Sequence, residues 1–477
     1  MLYDYSTITP ESVRAVVDEA IAAADATIGT IVADGTPSTW EAVMAPLDAV
    51  HAAMTEAYGR GPFMARVHPS KDVRDAATDA EEKIIKWSSD LTFRRDLYEA
   101  VEAFAATEEA AALEGEEHRF LEFWRRDFRR AGHGLTPEQR GRVQELRTRL
   151  VELGVAFGRN IDEYQDGIDV TRAQLEGLDE AYIARLAPGE AEGTYRVSLD
   201  YPDYYPFMDE AADRGLRRRL QHKFYNKAVE ENLPLLEETI AARAEMASIF
   251  GLPSWAHYAM EEKMAKRPEA VEEFYADLIP PLQDLAKAEL DDLRSEMGDE
   301  DVQGWDYRYL HTAIRRKRFG VDPSEVAAYF PLQQVLDGMF EITGEVLGLA
   351  YESVEDAATW HPDVSVHKIL DRETGRHLAT FYADLFPREG KFGHAAAFDL
   401  VAPRLDEGQV PVTAIAANFT KPTADSPSLL KHDEVVTLFH EFGHVLHNSL
   451  GHTRIARFAG FNCEWDFVEA PSQIMEH

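Results

Sequence analysis

Apolar positions recur at helical spacing through most of the first 190 residues. In residues 144–163, Leu146, Leu150, Val151, Leu153, Val155 and Phe157 form a stripe among charged neighbours, which predicts an amphipathic helix. Thr9-Pro10-Glu11-Ser12 and Thr136-Pro137-Glu138-Gln139 mark helix starts. In each, a hydroxyl residue precedes a proline in the first turn, where backbone N–H groups have no helical partner to lose. The charge run 114–119 is expected to be a solvated face. Around residues 195–205 the pattern turns aromatic and β-prone and is broken by Pro202 and Pro206, which predicts a short strand and a turn. The tyrosines there are expected to pack against one another. A soft domain boundary placed just after this stretch divides the chain into an amino-terminal helical region, 1–205, and a second region, 206–477.

Helices then resume. Residues 235–250 are followed by Gly251 and Pro253, a stop signal, and Pro280-Pro281 is expected to start another helix. Arg217, Arg218 and Arg219 are expected to form an ion-pairing face. From Val364 the period shifts towards two. Residues 364–370, a turn at 371–375 and residues 378–385 predict a hairpin, and 410–420 a third strand. The fold class is therefore mainly α with a small β-sheet. If the third strand lies at the sheet's edge, an extended peptide is expected to pair with it through main-chain hydrogen bonds.

Composition narrows the function classes. The chain has 477 residues, 45% of them apolar, enough for more than one sizeable core. Lys and Arg number 49 against 86 acids, a formal charge of −37, so nucleic acid and anionic membrane are excluded as expected partners. The single cysteine, Cys463, excludes an internal disulfide framework and fits a reducing compartment. The first 20 residues lack the basic start and apolar core of an export signal, and no run of 18 uncharged apolar residues occurs. A cytoplasmic protein is expected. The loop around Gly390, Lys391, Gly393 and His394 lacks the order of a phosphate-binding loop, so no nucleotide site is expected there.

One stretch carries chemistry. Residues 433–451 predict a helix of about five turns, with Asp433 and Glu434 at its positive end and Gly451 as a left-handed stop. Within it lies His440-Glu441-Phe442-Gly443-His444. Histidines four apart share a face, so both imidazoles can hold one metal ion, and Glu441 falls where it can take a proton from a water that the metal holds. Gly443 costs about 1 kcal/mol of helix propensity against Ala, which points to close approach by another backbone or a ligand. A catalytic zinc needs a third protein ligand and an open position. Two candidates exist. His447 lies on nearly the same face and would strain a tetrahedron, and the extended pattern HExxHxxGxxH fails at His447 and Leu450. Glu469, 29 residues beyond His440, sits on a segment able to return as a neighbouring helix and is the better candidate. Asp466 and Gln473 are candidates for orienting the imidazoles.

The string NFTKPTADSPSLLKHDEVVTLFHEFGHVLH, followed by DFVEAPSQ, closely resembles the thimet oligopeptidase and neurolysin family of zinc peptidases. The resemblance extends to FYADLFPREGKFGHAAAF and YFPLQQVLDGMFEITGEVLGL, and more weakly across the amino-terminal half. It implies one Zn2+ held by His440, His444 and Glu469, with Glu441 as general base. It also implies a zincin-like helical ellipsoid with a deep channel that admits short peptides, and endo-oligopeptidase activity in the cytoplasm. The chain departs from the family at Phe461, where a small hydroxyl residue is usual. Family members also continue well beyond the PSQ segment, so a carboxy-truncated member is expected, without the tyrosine and histidine that serve the tetrahedral intermediate. A dipeptidyl carboxypeptidase of the same family and a zinc-binding non-catalytic fragment are the rival readings; oligomeric state is not legible.

Overall fold

A computed structural model describes residues 3–298, 301–320, 323–404, 408–422 and 427–477. Residues 423–426, inside the first family-like string, lie outside the described residues. The chain forms two compact units, one of residues 1–140 with 323–477, the other of residues 141–322. The division expected after residue 205 is one of sequence pattern; compaction divides the chain elsewhere, because the 323–477 segment packs with the amino-terminal helices.

In the first unit a five-stranded sheet organises the packing. Its strands are Leu349–Ser353, Ser365–Asp371, His377–Asp384, Ala396–Val401 and Val412–Ala416, and we label them β1 to β5. Their order is β1-β2-β3-β5-β4; β3 and β5 are parallel and the other pairs antiparallel. The expected hairpin is β2–β3. Side chains alternate as the pleat requires. Ile369, Phe381, Ala383 and Ile415 face helices Leu332–Leu347 and His432–Leu450, whose Met339, Leu438, Phe442 and Val445 complete that core. Val366, Tyr382, Ala414 and Ala416 face the other way, onto Tyr5, Val13, Val17, Phe63 and Trp360. The charge run 114–119 docks rather than facing water alone: Glu116 accepts the N–H groups of Arg454 and Ile455, and Arg119 pairs with Glu464.

The strand expected along 410–420 is not an edge. Val412–Ala416 is paired on both sides, so no peptide can add to it. The edge on that side is β4, whose sequence AAFDLV lacks the alternation of polar and apolar residues that marks a strand. Gly59 packs directly against its Leu400, where a Cβ would meet the carbonyl oxygen at 2.3 Å.

The second unit is helical with a three-stranded antiparallel sheet of Gly167–Thr171, Ala187–Pro188 and Thr194–Ser198. The expected run of helices to residue 190 is thus interrupted at Gly167. After the strand at 194, the expected turn is instead helix Tyr201–Glu210; Pro202 sits in its first turn, where no N–H is needed. Pro280-Pro281 lies inside helix Pro268–Met297, which starts at Pro268; thirty residues of helix outweigh the bonds the two prolines remove. Gly251 does end Val229–Ile249, in the left-handed region at φ +69°. Of the three arginines expected to form an ion-pairing face, Arg217 is buried and pairs with Asp306, whereas Arg218 lies over the Trp305 ring.

Candidate metal centre

Helix His432–Leu450 is held at both ends by polar contacts and along its length by apolar ones. Glu434 caps its start by accepting the N–H of Lys431 at 2.7 Å. Phe442 packs among Phe340, Tyr351 and Phe381. Near the far end, the Asn448 amide donates to Thr413 Oγ1 of β5 at 2.7 Å and to Asp399 Oδ1 of β4 at 3.3 Å. Gly451 is extended, at φ −64°, rather than left-handed. The side-chain bonds of Asn448 anchor this end without a glycine turn.

This packing fixes the face that presents His440 and His444. The segment carrying Glu469 returns against the helix as short helix Ala470–Ile474. Gly443 allows the approach: a Cβ there would lie 2.6 Å from Ser472 Cα and 2.9 Å from the Pro471 carbonyl oxygen. The close backbone expected from that glycine is therefore Pro471–Ser472. His440, His444 and Glu469 come together, each offering one ligand atom within 4.8 Å of the others. Glu469 Oε2 is 3.2 Å from His440 Nε2 and 3.2 Å from His444 Nε2. His447 is not part of this group; its ring lies against Phe467 instead.

The donor set fits a small divalent cation. Zinc bonds of about 2.0–2.1 Å in a tetrahedron set neighbouring donors roughly 3.3 Å apart, and the two nitrogen–oxygen separations are 3.2 Å. The tautomer argues the same way. His440 Nδ1 is 2.7 Å from Glu476 Oε1 and donates to that carboxylate. In the neutral ring Nε2 is then bare, so a nitrogen lone pair faces a carboxylate oxygen, an arrangement that a cation between them resolves. Ser472 Oγ donates to Glu469 Oε2 at 2.6 Å and holds that oxygen toward the imidazoles.

Glu441 is buried beside this group. Burial pushes its carboxyl up to about 7; His440 opposes this, Glu469 adds to it, and the Ala397 N–H of β4 donates to the carboxylate. Burial likewise lowers His444, and its Nδ1 has no hydrogen-bond partner among the described residues. Phe461 fills the space beside it, with ring centroids 5.9 Å apart. Glu476 and Ser472 were missed by the sequence reading, which named Asp466 and Gln473. The spacing Glu469, Ser472, Glu476, one face of a helical segment, was the available signal.

A two-histidine, one-carboxylate site on a helix packed against a small sheet defines a zincin-like, mainly helical peptidase fold. Comparison with known proteins carries the assignment further. The family model described as "Peptidase family M3" matches residues 207–477, and "Neurolysin/Thimet oligopeptidase, N-terminal domain" matches 17–140. The chain belongs to peptidase family M3. It is 33% identical over 435 residues to a "Thimet-like oligopeptidase" of Dictyostelium discoideum, covering 87% of this chain and 65% of that protein. It is 31% identical over 496 residues to "Oligopeptidase A" of Salmonella typhimurium, covering 99% and 73%, and 33% identical over 442 to "Saccharolysin" of Saccharomyces cerevisiae, covering 87% and 62%. The chain thus spans about two thirds of the length of these relatives. Among the described residues no helix is long and apolar enough to cross a membrane.

Proposed function

We propose that this chain carries the zinc site and general base of an endo-oligopeptidase that hydrolyses short peptides. The observation behind this reading is the convergence of His440 Nε2, His444 Nε2 and Glu469 Oε2 at spacings that suit one tetrahedral ion. Zinc, when bound, supplies Lewis acidity toward the scissile carbonyl and brings the pKa of water near 7. The protein's own groups do the rest. His440, His444 and Glu469 hold the ion, and Ser472 orients Glu469. Glu441, oriented by the Ala397 N–H, takes the proton of the attacking water and returns it to the leaving amine. Residues 206–477 are read as the catalytic region, and the cytoplasm as the compartment, in keeping with one unpaired cysteine.

The test is zinc stoichiometry together with turnover of a quenched fluorescent peptide, with and without chelator. Wild type is expected to bind one zinc and lose activity to the chelator. Glu441→Gln is expected to keep zinc while turnover falls by about 10²–10⁴-fold. A Glu441→Gln protein as active as wild type, or a wild type that takes up no zinc, overturns the reading. Product masses separate internal cleavage from removal of carboxy-terminal dipeptides.

A further inference from the structure

We propose that Glu476 is the positioning residue of the metal centre, fixing His440 in the tautomer that turns a bare Nε2 toward the ion; this rests on the zinc-site reading above. The two imidazoles are not treated alike by the protein. His440 Nδ1 meets Glu476 Oε1 at 2.7 Å, with both side chains mostly shielded, at 24% and 30% exposure. His444 Nδ1 is buried with no partner among the described residues. Of the two imidazoles, only that of His440 therefore has its tautomer and ring plane set by a carboxylate at Nδ1 among the described residues.

One segment supplies three parts of this arrangement. Glu469 brings the ligating oxygen, Ser472 holds it with a 2.6 Å hydrogen bond, and Glu476 reaches the far nitrogen of His440. Helix Ala470–Ile474 and the bond from Glu476 N–H to the Gln473 carbonyl keep the three in register. The segment can lie that close because Gly443 has no side chain to push Pro471 and Ser472 away. A displacement of Glu476 would leave His440 free to turn or to move its proton to Nε2, and the ligand would be lost without any change in the HExxH residues.

The experiment uses the full chain stripped of metal, as wild type, Glu476→Ala, Glu476→Gln, His440→Ala and the His440→Ala/Glu476→Ala double variant. Zinc affinity is read by competition with a chromophoric chelator, and the site geometry by the visible absorption of the cobalt(II)-loaded protein. Glu476→Ala is expected to weaken zinc binding by about 10–100-fold and to alter the cobalt spectrum, while its metal-free melting curve matches wild type. Glu476→Gln, whose amide oxygen still accepts the Nδ1 proton, recovers most of the loss. In the His440→Ala background, Glu476→Ala adds no further loss, since the group it positions is gone. Unchanged zinc affinity in Glu476→Ala, or an equal loss with and without His440, overturns the assignment while the zinc site stands. A wild type that binds no zinc in the same titration removes the site itself, and this assignment with it.

Discussion

Three acids on or beside one sheet are shifted in opposite directions by their surroundings, one down and two up, and the contrast shows what sets the candidate metal centre apart from the rest of the core. Asp384, at the end of β3, is fully buried. Burial pushes its carboxyl up, but hydrogen bonds from Arg388 and the charge of Lys391 outweigh it and hold the group below its usual value. Arg388 meets it at 2.6 Å, Lys391 at 2.8 Å and the Trp360 indole at 2.7 Å. Lys391 also donates to the carbonyls of Asp384, Phe386 and Ala417, so the ammonium that a phosphate loop would need is already spent. Glu441 and the Asp399 carboxyl oxygen Oδ2 are also buried but have no lysine or arginine ion pair among the described residues, and burial leaves each carboxyl near 7. Burial alone raises an acid; partners decide whether it stays charged. At His440, His444 and Glu469 the balance tips further, since lone pairs converge with no lysine or arginine ion pair to Glu469 among the described residues. A saturated cluster holds the fold, and an unsaturated one is left for a ligand.

The largest expected effect tests the saturated side. Lys391→Met keeps most of the volume but leaves Asp384 buried with one cation fewer. It should cost about 3–5 kcal/mol of stability, read as a shifted urea midpoint of the metal-free protein, with zinc stoichiometry unchanged. A shift of under about 1 kcal/mol would show that Arg388 and Trp360 suffice and would weaken the contrast.

Asp399 gives the intermediate case. Its carboxyl has one weak partner, Asn448, and an Oδ2 without any among the described residues. An unfolded Asp titrates near 3.9, whereas the folded group holds its proton to about 7. Between those values the native state binds the extra proton, so stability is fully present below about pH 4 and falls as pH rises toward 7. The loss totals a few kcal/mol at most, about 1.4 per unit. Asp399→Asn should flatten the melting temperature across pH 5 to 8 relative to wild type; an identical slope in the variant would assign that pH dependence to other groups.

The smallest effect on stability belongs to the candidate metal centre. The Glu469 side chain is 49% exposed and its attraction to the imidazoles is screened. Glu469→Gln should shift the metal-free urea midpoint by less than about 1 kcal/mol while abolishing stoichiometric zinc binding. A large destabilisation without metal would mean that this cluster, like that of Asp384, is part of the structural core.

Much of this was legible in the chain. Local spacing determined helix His432–Leu450, the shared face of His440 and His444, the hairpin at β2–β3 and the stop at Gly251, because each depends on residues a few positions apart. Gly443 even announced a close neighbour, although not which one. Long-range packing decided the remainder. That Glu469 completes the group and His447 does not depends on how Pro471 and Ser472 settle on Gly443. That Val412–Ala416 is an inner strand depends on β4, whose unpatterned sequence gives no local sign of its partner. The spacing of Glu469, Ser472 and Glu476 puts the three on one face but does not name His440 as the partner of Glu476, and the contact of Lys391 with Asp384 leaves no local mark, because a charged side chain looks the same in sequence whether water or another residue satisfies it, and only the folded chain brings that partner within reach.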